Sequence, residues 1–200
     1  RVLDKVEPTR SWNIPSCTHF LTLGDRLPAG RLIAAAGGGE PLFWGGYEGA
    51  ERQVCAFLPD WLDPQDWREG EDCPLSAVAF TAPPGSGLTH RDYLGALLNL
   101  GIERAKLGDI LVTGEGALVF AEEKIAPFLC ENLYRVRHTS VQAEKLEGAD
   151  FDWTPRFEEI RGTVASVRLD SLLALAFHSS RSRLSPLIEA GKVYVNGKLI

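Results

Sequence analysis

Apolar residues at Leu169, Leu172, Leu173, Ala176 and Phe177 recur at i, i+3, i+4, i+7 and i+8, which predicts one stripe of an amphipathic helix. The polar break from His178 to Ser180 offers hydroxyl caps for a second short helix carrying Leu184, Leu187 and Ile188 on its inner side. Gly191 stands where a left-handed residue would close that helix. Beyond it, Val193 and Val195 alternate with Lys192 and Tyr194, and Asn196-Gly197 is a type I′ hairpin signal. The pattern predicts a helix–helix–hairpin unit with its basic side chains outside.

The upstream pattern predicts one α/β unit between about residues 42 and 147. The apolar run Val54 to Leu58 reads as a strand and Ala77 to Thr81 as a second, with the acidic, tryptophan-bearing stretch Pro59 to Pro74 as a loop between them. Thr89-x-x-Asp92 fits a capping box opening a helix with Leu94, Leu97 and Leu98 inward, and Gly101 ends it. Ile110 to Val112 and Ala117 to Phe120, with a turn at Thr113 to Gly116, read as a hairpin. A helix with Ile125, Phe128, Leu129 and Leu133 on one face follows, then a strand near Val136 to Val141. The order β-β-α-β-β-α-β predicts an α+β layer of one sheet under two helices, ferredoxin-like or RRM-like. Residues 1–41 read as a fragment of an N-terminal helical lobe, with a helix entering near Thr18 and running toward Ala36 past Pro28. The polar, acidic stretch 148–156 reads as a linker, and 157–200 as the final domain.

Charge changes this picture. The chain of 200 residues carries a formal charge of −6. From Arg161 onward six Lys/Arg face only Asp170 and Glu189, a net of +4, which leaves −10 on the rest. That asymmetry points to one nucleic-acid-facing end on an acidic body. Cys17, Cys55, Cys73 and Cys130 form no C-x-x-C pair and have no matching histidine spacing, so reduced thiols are expected and no zinc or redox site. No apolar run approaches the length of a membrane span, and no signal peptide is visible. A cytoplasmic protein without membrane insertion, cofactor or small-molecule substrate is expected. The chain starts at Arg1 and lacks methionine, so Arg1 is not expected to be the native start.

Arg168-Leu169-Asp170, Ser180-Arg181, Leu187-Ile188, Gly191, Val193, Val195 and Asn196-Gly197, in this order, resemble the S-four RNA-binding domain first known from a small-subunit ribosomal protein. Trp44-Gly45-Gly46-Tyr47, Ala50-Glu51-Arg52, His90-Arg91-Asp92-Tyr93-Leu94-Gly95-Ala96, Gly101-Ile102 and Gly108-Asp109-Ile110-Leu111-Val112 resemble the domain that accompanies it in the YlmH family of bacterial proteins. The resemblance implies a non-enzymatic RNA-binding factor. It implies docking on ribosomal RNA or tRNA of the large subunit that still holds peptidyl-tRNA, in ribosome-associated quality control. An S-four domain of this αL type continues past the hairpin, so its final sheet is expected to be truncated at Ile200. Pro186 falls within the expected second helix, which either restarts at Ser185 or kinks.

Structured RNA calls for guanidinium and ammonium donors to phosphates. Arg168 precedes the first helix, Arg181, Ser182 and Arg183 open the second, and Lys192, Asn196 and Lys198 surround the hairpin, so these seven are the expected RNA contacts. Asp170 is expected to orient an arginine or cap the first helix. Tyr194 has two readings, stacking on a base or packing on the hairpin. His90-Arg91-Asp92 spells the start of a kinase catalytic loop, but the asparagine required five residues later is Leu97. Two readings of that segment stand, a capped helix start or a second basic patch of His90, Arg91, Arg104 and Lys106. Trp44 and Tyr47 read as core or turn aromatics, with stacking on RNA as the alternative. Two further classes fit parts of the sequence. A pseudouridine synthase would use Asp170 in its R-L-D context, and an adaptor of the division machinery would use the acidic body.

Overall fold

The structure, a computed structural model, describes residues 3–5, 9, 11–35, 40–146, 159–195 and 198–200. The chain forms two compact units, Arg1–Asp150 and Phe151–Ile200. The expected linker lies outside the described residues.

The first unit holds two sheets. Strand β1 (Ser16–Cys17) pairs antiparallel with β3 (Val54–Phe57), which also pairs with β2 (Leu42–Trp44), giving the order β1-β3-β2. Helix α1 (Leu23–Ala35) buries Ala29 and packs Ile33 against Cys55 and Phe57 of this sheet. Thr18 to Leu21, expected to enter that helix, are extended instead. Thr18 donates its backbone N–H to Cys55 and Leu21 bridges Gln53, so sheet pairing outweighs local helix preference. Val54–Phe57, expected in the middle sheet, thus joins residues from before position 41.

The expected loop 59–74 contains a helix, α2 (Pro64–Glu69). Asp63 accepts the Gln65 N–H at 2.7 Å, Pro64 occupies the first turn, and Trp67 anchors it, 1% exposed. Six residues are too short for a 3.6-residue period to show, but the cap and proline were legible.

The remaining elements are β4 (Leu75–Thr81), α3 (His90–Asn99), β5 (Leu107–Val112), β6 (Gly116–Glu122), α4 (Ala126–Asn132), the short hairpin β7 (Arg135–Val136) with β8 (Thr139–Ser140), and β9 (Gln142–Leu146). The four long strands form an antiparallel sheet in the order β5-β6-β4-β9. That is a β-α-β-β-α-β ferredoxin-like arrangement, in which the first and third strands lie at the centre. Val78 and Phe80 of β4 and Val119 of β6 meet Tyr93 and Leu97 of α3 and Leu129 of α4 in one core. Leu98 and Phe128, expected inward, are exposed. The buried face of α3 is completed by Tyr93 instead, since a helix on a sheet buries a single stripe narrower than its leucine content.

The sheet's opposite face is also covered. Gly46, with φ +99°, presses so near Phe120 that a Cβ there would lie 2.5 Å from its Cδ1, and Tyr47 stacks on the same ring at 4.8 Å. Gly108 lies in a register irregularity of β5, where a Cβ would come 2.7 Å from Phe20. The displaced Asp109 accepts the Tyr47 hydroxyl (2.8 Å) and the N–H groups of Glu51 (2.7 Å) and Arg52 (3.1 Å). The Arg52 guanidinium donates to the carbonyls of Phe20, Arg104 and Leu107. The motifs around Gly46, Arg52 and Gly108-Asp109 therefore stitch the two sheets together.

The second unit contains α5 (Leu169–Ala176), α6 (Arg181–Glu189) and the hairpin β10 (Tyr194–Val195) with β11 (Lys198–Leu199). His178 (φ +46°) turns the chain after α5, and Gly191 (φ +62°) does so after α6, where Lys192 returns its N–H to the Leu187 carbonyl. Helix α6 runs unbroken through Pro186. The ring removes the N–H that would meet Ser182, but Ser182 is exposed, so water can satisfy that carbonyl. Of the expected α5 stripe, Leu169 and Leu173 are half-buried, while Leu172, Ala176 and Phe177 face outward.

Candidate nucleic-acid interface

The second unit is organised around a carboxylate. Asp170, 7% exposed, lies in the first turn of α5, and its Oδ1 accepts the Ser171 N–H (3.0 Å) and Arg168 Nε (3.1 Å). Its Oδ2 accepts two donors from Arg181, Nε at 2.9 Å and a terminal nitrogen at 2.5 Å. Arg181 is the first residue of α6, so one carboxylate fastens the starts of both helices together, and Leu184 of α6 is buried. The Arg181 and Arg168 hydrogen bonds hold the Asp170 carboxyl down to about 2. Asp170 thus orients arginines, one of the two roles its position suggested.

The geometry leaves cationic donors pointing outward. The side chains of Arg168 and Arg181 remain 67% and 54% exposed, so Asp170 fixes each guanidinium by one edge and leaves the other to solvent. Arg183, one turn into α6, is exposed and has no ion-pair partner among the described residues. Ser180 at the α6 N-cap makes no side-chain cap; its hydroxyl meets that of Ser182 at 3.1 Å. The first N–H groups of α6 are therefore available to an anion next to Arg181, Ser182 and Arg183. Lys192 and Lys198 are exposed at the hairpin, Asn196 lies outside the described residues, and Tyr194 is 62% exposed, so its ring is open rather than packed.

The four residues expected as a second basic patch do not act alike. Arg104 is half-buried and donates to the carbonyls of Leu107 (2.8 Å) and Gly108 (3.0 Å); burial, then the neighbouring Arg52 charge, lowers it to about 10. Its guanidinium supports the β5 irregularity. Lys106 pairs with Glu103 at 3.4 Å, and His90 is exposed at the start of α3. Arg91 lies in a groove beside Arg135, Arg137 and His138, three residues that the sequence pattern did not single out. Their signal was the run Tyr134-Arg135-Val136-Arg137-His138, basic on both sides of one apolar residue.

Trp44 and Tyr47 are committed within the fold. Arg68 lies 4.7 Å over the Trp44 ring, and Tyr47 packs on Phe120. The strand face that carries Phe120 is thus closed by the protein's own residues, and its polar positions, Thr81, Glu122, Gln142 and Glu144, include two acids and no base. The cysteines are free thiols; burial raises Cys55 to about 12 and Cys17 to about 11. Among the described residues no helix is long and apolar enough to cross a membrane.

A ferredoxin-like unit followed by two helices and a hairpin that present arginines defines an RNA-binding type of protein. Residues 85–150 match the model described as a putative RNA-binding domain in YlmH, and residues 167–200 match the S4 domain. The chain thus carries a YlmH-type RNA-binding domain followed by an S4 domain. It is similar to the ribosome-associated protein quality control protein P2 of Bacillus subtilis (strain 168), 31% identical over 160 residues. That match takes in 79% of this chain and 61% of the relative, so the chain spans about three-fifths of that relative's length. In fold it resembles the cell division protein ylmH from Streptococcus pneumoniae, with a TM-score of 0.57, 18% identity, and coverage of 72% of this chain and 86% of that one.

Proposed function

We propose that this protein is a cytoplasmic, non-catalytic factor that docks on structured rRNA or tRNA of the large ribosomal subunit during ribosome-associated quality control. The observation that carries this reading is the Asp170 clamp, which presents Arg168 and Arg181 by one edge beside Arg183 and an uncapped helix start. Such a surface offers donors to the phosphates of structured RNA, and it lies on the cationic part of an otherwise acidic chain. The Bacillus relative bears a ribosome quality-control name, which supports the same direction. A pseudouridine synthase would need a free carboxylate, whereas both oxygens of Asp170 are taken by arginines and a backbone N–H.

Sedimentation of lysate tests the proposal. The protein should co-migrate with large-subunit fractions, more so when translation is stalled. Its absence from them under stalling would sink the idea. Replacing Arg181 and Arg183 together by Ala should weaken binding to a ribosomal hairpin RNA. It should also flatten the log–log salt dependence by roughly one to two units, one phosphate per arginine.

A further inference from the structure

On the first unit, α3 and the β7–β8 hairpin enclose a groove of about 730 Å³. Its rim carries Arg91, Arg135, Arg137 and His138, with Asp92 as the anionic side chain among them. Asp92 is already engaged by the Thr89 N–H (2.9 Å) and hydroxyl (2.7 Å), and stands 3.6 Å from Arg137. Arg91 and Arg135 are exposed and pair with no carboxylate among the described residues. Three guanidinium groups around one concavity repel one another in the free protein, on a unit that is otherwise acidic.

Three further features point into the groove. Arg137 adopts φ +54° at the hairpin tip, a backbone setting that favours Gly or Asn, so a cationic side chain stands there against local preference. Gly95 lies inside α3 with nothing beyond its own stretch of helix backbone within 4 Å of where its Cβ would be, so packing does not require a glycine. What the missing side chain does is keep the groove floor open. Tyr134, 73% exposed, stands at the groove with its ring unstacked among the described residues.

We infer that this groove binds an unpaired segment of RNA, phosphates on Arg91, Arg135 and Arg137 and a base on Tyr134. The inference rests on the RNA-binding reading above and adds a second surface with a different substrate. A concavity of this size admits a splayed nucleotide or two, whereas an A-form duplex presents a wide surface that cannot enter it. Arginines that track a backbone next to an exposed aromatic ring are the usual means of holding single strands.

The test uses the full chain and two fluorescein-labelled RNAs, an eight-nucleotide uridine oligomer and a ribosomal hairpin, followed by anisotropy over a salt series. Arg91→Ala with Arg135→Ala, and separately Gly95→Glu, should weaken oligomer binding about tenfold or more and leave the hairpin RNA within about twofold. The arginine pair should also lower the oligomer's salt slope by roughly one to two units. Arg181→Ala with Arg183→Ala should do the reverse. Circular dichroism establishes that each variant is folded, and Tyr134→Ala, at an exposed position, provides an independent loss of about tenfold. Unchanged oligomer binding in all groove variants overturns the inference while leaving the α6 surface intact. Competition of the oligomer by a polyglutamate peptide, without effect of Tyr134→Ala, also overturns it and assigns the groove to acidic protein segments. Failure of the unmodified protein to bind either RNA sinks the RNA reading itself.

Discussion

Asp170 decides what its arginines can do. Its carboxyl, held at about 2 against an ordinary 3.8 by hydrogen bonds from Arg181 and then Arg168, is depressed in the folded state. A depressed carboxyl stabilises the fold at pH above its unfolded value, and that contribution disappears as pH falls through the folded value. The second unit should therefore loosen between about pH 4 and pH 2. Carbon-13 NMR of the Asp170 carboxyl should give a midpoint near 2. Asp170→Asn separates two ideas. If charge alone mattered, removing an anion beside the proposed RNA site would tighten binding. Because the carboxylate fixes the guanidiniums, affinity for hairpin RNA should instead fall roughly threefold to tenfold, as expected for lost charge-assisted hydrogen bonds. Tighter binding by the Asn variant would remove the positioning role.

Elements obey local rules unless a partner overrides them. The capped start of α3, the turn at Gly101 and the stop at Gly191 follow from residues within one helical turn, and each was readable. Thr18 to Leu21 were not, because their strand partners lie more than thirty residues away at Gln53 and Cys55. Pro186 is the clearest conflict between element and residue. It lies well inside α6, where proline costs about 3 kcal/mol relative to alanine. Solvent access at Ser182 softens that cost, so Pro186→Ala should stabilise the second unit by about 1–3 kcal/mol. Urea unfolding followed by the NMR signals of α6 would measure this. A midpoint that does not rise would mean that the ring packs against something its removal exposes.

At the scale of the whole molecule, the first unit depends on a seam between two sheets. Arg52 and Asp109 supply most of its polar bonds, and the Arg52 guanidinium spans Phe20, Arg104 and Leu107. Arg52→Ala leaves those carbonyls short of donors and should cost about 2–4 kcal/mol. Urea denaturation should show this as a lower midpoint with an unchanged slope if the sheets unfold together. A split transition would show the two sheets to be separately stable. The same seam closes the strand face around Phe120, so the RNA contacts inferred for this unit belong to the helix side, at Arg91 and the β7–β8 hairpin.

The amino-acid sequence by itself determined the elements whose signals are local: the apolar helical spacing, the caps, the glycine stops and the hairpin of the last thirty residues. It also carried the charge split and the ordered motifs of the two matched domains, because each of these is written in neighbouring residues. Tertiary structure alone decided which basic residues remain available. Arg104 and Arg183 look alike in sequence, yet Arg104 is drawn inward by two carbonyls and Arg183 faces solvent. It alone brought Arg91 within one groove with Arg135 and Arg137, since a helix and a hairpin some forty residues apart meet only when both pack on the same sheet. Hydrogen-bond demand is satisfied in three dimensions, so the choice between a structural and a functional arginine is made by the fold.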